Sequence, residues 1–182
     1  MEALSVVTLM KFKNTIERIL HVKGNYQGGI LEMTLVADAN LSIEQCKNLI
    51  PQLLKALKQQ GEVFHNVRFN YGVWQQDGSV SNKVCPMMLA MTENFYEKEE
   101  TLEKETEQEK PKNISGLIDY LKMFHARSKI IILVTDGAFQ VDNPSHVTRQ
   151  MQPFLDKKLV VVVAKGNEVQ IKYRESLGKA EQ

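Results

Sequence analysis

The sequence predicts an α/β domain: a doubly wound, mostly parallel sheet with helices on both faces and one antiparallel hairpin at an edge. Three observations predict it. Apolar runs of strand length recur at 30–37 (ILEMTLVA), 130–134 (IIILV) and 159–164 (LVVVVA), the pattern of strands buried on both faces. Longer stretches between them carry apolar residues at helical spacing. Around Gln76-Asp77-Gly78, two short segments have the alternation and turn chemistry of a hairpin.

In chain order, Leu9, Phe12, Ile16, Ile19 and Leu20 outline an amphipathic helix in an N-terminal extension, residues 1–28. The main domain is expected over 29–182. Gly28-Gly29 punctuates the start of the first strand, which ends in Asp38. Ser42-x-x-Gln45 is a capping box that opens a helix through Cys46, Leu49, Ile50, Leu53, Leu54 and Leu57. Gly61 terminates it, and Pro51 predicts a kink or a tightened first half. Val67, Phe69, Tyr71 and Val73 alternate with Arg68, Asn70, Gly72 and Trp74 as a period-two strand, and Val80–Val84 returns as the hairpin partner. Met87–Met91 reads equally as a strand end or a helix start.

Residues 97–112 (EKEETLEKETEQEKPK) hold seven Glu and four Lys, a composition that suits a solvated helix or loop inserted into the domain. A binding surface is the sharper reading of the same run. Ile114, Leu117, Ile118, Leu121 and Phe124 then form a helix face. The strand at 130–134 exits through Thr135-Asp136-Gly137. Asn143-Pro144 is a cap followed by a first-turn proline, opening a helix through Val147, Met151, Phe154 and Leu155. After the strand at 159–164, Val169, Ile171 and Tyr173 alternate, and a last helical turn is expected through Leu177.

Composition narrows the function classes. With 23 Lys+Arg against 22 Asp+Glu the net charge is +1, too small for a long-range field, so neither nucleic acid nor a membrane surface is an expected partner. No window of about 18 uncharged apolar residues marks a membrane span, and no signal-peptide pattern opens the chain. Cys46 and Cys85 lack metal-ligand spacing and read as small hydrophobes in a reducing compartment, which together implies a cytoplasmic protein. The four histidines, His21, His65, His125 and His146, share no spacing and read as surface or satisfied residues.

In such a sheet, ligands bind beyond the carboxyl ends of the strands, where strand order reverses. Asp38 and Asp136 both sit at strand ends. If their strands are neighbours, the two carboxylates converge beside the helix opening at Ser42 and need a cation, a shared proton or donated hydrogen bonds. Oxygen ligands of this kind suit Mg²⁺ or Mn²⁺.

Asp38-Ala39-Asn40-Leu41-Ser42, followed by Ile130–Gly137 (IIILVTDG), resembles a von Willebrand factor A domain across roughly residues 30–165. That family's metal-ion-dependent adhesion site has a D-x-S-x-S turn after the first strand, a later Thr, and an Asp in a TDG-like turn. Asp38, Ser42 and Asp136 match, and Asn40 stands where the first Ser would be. Lys112 falls where the Thr would be, and sliding the register by three puts Ser115 there instead. The resemblance therefore implies a metal site of Asp38, Asn40, Ser42, Ser115 and Asp136 holding Mg²⁺ or Mn²⁺, or else a metal-free relic in which the Lys112 ammonium neutralises the acids. It implies a non-catalytic module whose protein partner completes the cation with an acidic side chain. Each matched residue also has a plainer role: Ser42 as a cap, Asn40 as a turn residue, Asp136 as part of an Asp-Gly turn.

The alternative is a Mg²⁺-dependent phosphohydrolase with Asp38 as nucleophile, resembling haloacid-dehalogenase-type phosphatases. Those place a second acid two residues on, where this chain has Asn40. Gly-rich phosphate-binding motifs and a G-x-S-x-G elbow are both missing.

Overall fold

The computed structural model describes residues 4–22, 26–98, 112–152 and 155–173. Helix α1 spans Val6–His21, capped by Ser5, whose hydroxyl accepts the Thr8 N–H at 3.1 Å. Strand β1 is Leu31–Asp38 and helix α2 is Ile43–Gln60, with both arms of the Ser42/Gln45 capping box formed. The α2 helix runs on through Pro51 and ends at Gly61. Then come β2 (Val67–Trp74), β3 (Val80–Cys85), a short 3₁₀ turn at Leu89–Met91, α3 (Glu93–Lys98), α4 (Ile114–Phe124), β4 (Ile130–Thr135), α5 (Pro144–Met151), β5 (Leu159–Lys165) and β6 (Glu168–Tyr173). The expected turn through Leu177 and most of the charged run, residues 99–111, lie outside the described residues.

All six strands form one mixed sheet in the order β3-β2-β1-β4-β5-β6. The four inner strands are parallel and both edges are antiparallel. The β2–β3 hairpin is the expected one. The second antiparallel edge corrects the expectation of a single hairpin. Lys165 pairs with Glu168 across Gly166-Asn167, and a two-residue loop leaves no room for the crossover that a parallel pairing requires. Gly166 supplies the positive φ, +58°, that this tight reversal uses.

Side-chain alternation along the strands splits the core between the two faces. Leu31, Met33, Leu35 and Ala37 of β1, Ile130, Ile132 and Val134 of β4, and Val160 and Val162 of β5 pack with α1, α2 and α3. Val36, Ile131, Leu133, Val161 and Val163 pack with Ile114, Leu117, Ile118 and Leu121 of α4 and with Val147 and Met151 of α5. Each such side chain contributes roughly 1.5–3 kcal/mol when fully buried. Helix α1 is part of this core rather than an appendage, since Phe12, Ile16 and Ile19 are wholly buried in the same cluster as β1 and α2. Tyr71 of β2 meets Phe95 and Tyr96 of α3 edge-on, at ring centroid separations of 5.0 and 6.0 Å.

A buried polar network lies at the C-terminal end of α4. Thr34 Oγ1 lies 2.6 Å from Ser128 Oγ and 3.3 Å from His125 Nδ1, and His125 Nε2 lies 3.2 Å from the Tyr120 hydroxyl. Among the described residues no helix is long and apolar enough to cross a membrane.

Candidate functional site

The direction of winding reverses between β1 and β4. From β1 the chain crosses to β2 on one side, and from β4 to β5 on the other, so the crevice at their carboxyl ends is the topological switch point of the sheet. Parallel pairing of Ala37 with Val134 brings the two exits side by side. Four segments meet there: the turn 38–42, the end of β2 at Trp74, the residues just before α4, and the loop leaving β4.

Asp38 is fully buried. Its Oδ1 accepts the Asn40 N–H at 2.9 Å and its Oδ2 accepts the Thr135 hydroxyl at 2.7 Å. The Lys112 ammonium forms an ion pair with Oδ1. Burying a lone carboxylate is costly, and a paired, hydrogen-bonded one is the form that proteins tolerate. Lys112 is itself sequestered, its side chain 1% exposed. Its Nζ donates to the Trp74 carbonyl at 2.9 Å and sits 4.5 Å from the centroid of the Trp74 ring, a cation–π geometry.

The backbone around Lys112 is strapped to the β4 exit loop. Gln140 donates to the Lys112 carbonyl at 2.6 Å and Ile114 donates to the Gln140 carbonyl at 3.0 Å, with Asn113 and Gln140 forming a parallel bridge. Asn113 then caps α4, its Oδ1 accepting the Ser115 N–H at 2.9 Å. Of the two registers open in the sequence, Lys112 is the one whose side chain reaches Asp38.

Asp136 is half-buried at the rim. Its Oδ1 accepts the Ala138 N–H at 2.9 Å and the Asn40 side-chain amide at 3.3 Å. Asn40 thus links the two acids: its backbone holds Asp38 and its side chain holds Asp136. Ser42 and Ser115 stay with their own helices. The Ser42 hydroxyl accepts the Gln45 N–H at 3.0 Å as a cap, and Ser115 is the second residue of α4. Gly137 takes a positive φ of +83°, letting its N–H donate to Thr135 Oγ1 at 3.0 Å. Thr135 therefore ties the end of β1 to the turn after β4.

A divalent ion such as Mg²⁺ requires about six oxygen lone pairs. The donors present do not fit that demand while Lys112 occupies its place. Both Asp38 oxygens accept hydrogen bonds from the protein, Asn40 turns its amide N–H toward Asp136, and Ser42 is engaged as a cap. The orphaned buried polar atom at the site is Trp74 Nε1, a donor with no lone pair to offer a cation. Among the described residues, no group of three or more His, Cys, Asp or Glu side chains converges.

Beneath the turn, burial and then the nearby Asp38 charge push the Cys46 thiol up to about 12, so it is held as an inert thiol. Thr135 and Trp74 are the site residues that sequence reasoning passed over. Thr135 had a signal, its place in the TDG turn, whereas Trp74 looked like any residue on a sheet face.

Comparison of the chain with family models, with curated proteins and with solved structures returns no match.

Proposed function

We propose that the chain is a non-catalytic protein-interaction module of the von Willebrand factor A type, built on a doubly wound, Rossmann-like sheet. Its binding face is the carboxyl end of that sheet. One observation carries the reading: β1 and β4 are neighbours, so the D-x-N-x-S turn and the TDG turn lie together at the switch point, as the adhesion-type motif requires. The partner is a protein that docks on the rim around Asn40, Asp136 and Ala138. Partner recognition through an acidic side chain on a bound Mg²⁺ or Mn²⁺ has less support, because the Lys112 ammonium already pairs with Asp38. Cys46 and Cys85 are not joined in a disulfide, which supports a reducing location such as the cytoplasm.

The phosphohydrolase reading has little behind it. A nucleophilic carboxylate must reach phosphorus, and Asp38 is fully buried with both oxygens engaged. Asn40 at the acid/base position cannot move a proton as a carboxyl group does.

Affinity capture from the native host with the wild-type chain and an Asn40→Ala/Asp136→Ala double variant, both verified as folded, tests the proposal. The same protein should be retained by wild type and lost from the variant; equal retention by both, or none by either, would overturn it. Hydrolysis of p-nitrophenyl phosphate that requires Mg²⁺ and disappears in Asp38→Asn would instead establish the enzyme.

A further inference from the structure

We infer that Lys112 is the resident cation of this site: a tethered ammonium that stands where an adhesion-type site would hold a divalent metal, making the face metal-independent. The inference rests on reading the site as adhesion-type. It adds that the chain carries its own positive charge.

Three features of Lys112 support it. The first is burial: a lysine from a run of Glu and Lys would ordinarily extend into water, yet this side chain is 1% exposed. The second is the set of contacts around its ammonium. Of the three ammonium N–H groups, one faces Asp38 Oδ1 and another the Trp74 carbonyl, while the Trp74 ring lies 4.5 Å away. The third is a fixed backbone, since the Lys112 carbonyl accepts from Gln140 and the adjoining Asn113 bridges to that same residue. A divalent ion entering here would stand beside a like charge in a water-excluded pocket, where repulsion is poorly screened. It would also have to displace hydrogen-bond donors from both Asp38 oxygens. The metal becomes able to bind only if the ammonium leaves.

The test uses the full chain with Mg²⁺ or Mn²⁺ alone as the probe. In wild type, Mn²⁺ should cause no selective paramagnetic broadening of the Asp38, Asn40 and Asp136 amides, and neither metal should shift the Tm. Site-selective broadening at stoichiometric Mn²⁺ would overturn the inference. Lys112→Ser removes the ammonium and leaves a hydroxyl, so its Tm should fall without metal and rise again with added Mn²⁺. A folded Lys112→Ser that is indifferent to metal would overturn the inference. If Lys112→Ser does not fold, its folding on addition of Mn²⁺ counts in favour. The charge-free Asp38→Asn/Lys112→Met pair should then fold and ignore metal; a pair that cannot fold, or that binds Mn²⁺, counts against. None of these readouts involves a partner, so a failed capture experiment and a failed metal experiment remain distinguishable.

Discussion

Thr135 donates its hydroxyl proton to Asp38 Oδ2 at 2.7 Å and accepts the Gly137 N–H on the same oxygen at 3.0 Å. One side chain thereby closes the seam between β1 and β4 at the point where both strands leave the sheet. A carboxylate, a hydroxyl and a glycine turn form a continuous chain of hydrogen bonds across the switch point. The ammonium of Lys112 approaches the other carboxylate oxygen.

Thr135→Val keeps the shape of the side chain and removes both roles of the hydroxyl. A buried acceptor on Asp38 and the Gly137 N–H lose their partner, which costs about 1–3 kcal/mol. Urea unfolding should show the loss, with Thr135→Ser much closer to wild type. Equal stability of Thr135→Val and wild type would mean that the seam contributes nothing.

Gly137→Ala is expected to destabilise by about 1–2 kcal/mol, because an L side chain at a positive φ crowds its own backbone. The added Cβ would also lie 3.2 Å from Val163 Cγ1. Gly166→Ala has φ +58° and open space around it, so it should cost less. Thermal unfolding of the two variants ranks them, and the reverse order would contradict the packing described here.

His125 gives the fold a pH dependence. Burial holds the imidazole below its ordinary 6.5, partly opposed by the charge of Glu32. Below 6.5 the unfolded chain takes up the proton more readily than the folded one, so stability rises with pH through this window. The contribution is complete above 6.5 and declines as pH falls toward the lowered folded value. Urea midpoints measured stepwise through mildly acidic pH should fall, and His125→Gln should flatten that part of the profile. An unchanged slope in the variant would remove His125 as the cause.

The Cys46 thiol, raised to about 12 by burial, should resist a thiol reagent at mildly alkaline pH. In a Cys85→Ser background, labelling of Cys46 should wait for denaturant. Prompt labelling of the native protein would show that Cys46 is not buried between α2 and the rest of the core.

Much of the architecture is legible because it follows from local chemistry. The Val/Ile/Leu runs of β1, β4 and β5 have too few polar groups for an exposed face, so they must be central. Ser42 and Gln45 satisfy each other's N–H groups three residues apart, and Gln76-Asp77-Gly78 supplies the turn that returns β3 along β2. The second edge hairpin was as local, at Gly166-Asn167, yet a valine-rich strand followed by weak alternation did not reveal the pairing direction. Helix α1 illustrates a different limit. Its apolar stripe was visible, but whether it closes on this sheet depends on Phe12 and Ile16 finding space beside α2.

By itself, the sequence determined the parallel core, the helices that cover it, and the presence of an acid at the end of each of two strands. Periodicity and capping act over a few residues, so the local order of residues can specify them. Only the tertiary structure decided what neutralises Asp38. Lys112 lies 74 positions away, at the end of a charged run whose composition suits solvent. It is the pairing of Asn113 with Gln140 and the ring of Trp74 that draw this ammonium out of water. Desolvating a charge is favourable only where a counter-charge and hydrogen-bond acceptors are already fixed in space, and no local pattern encodes such an arrangement.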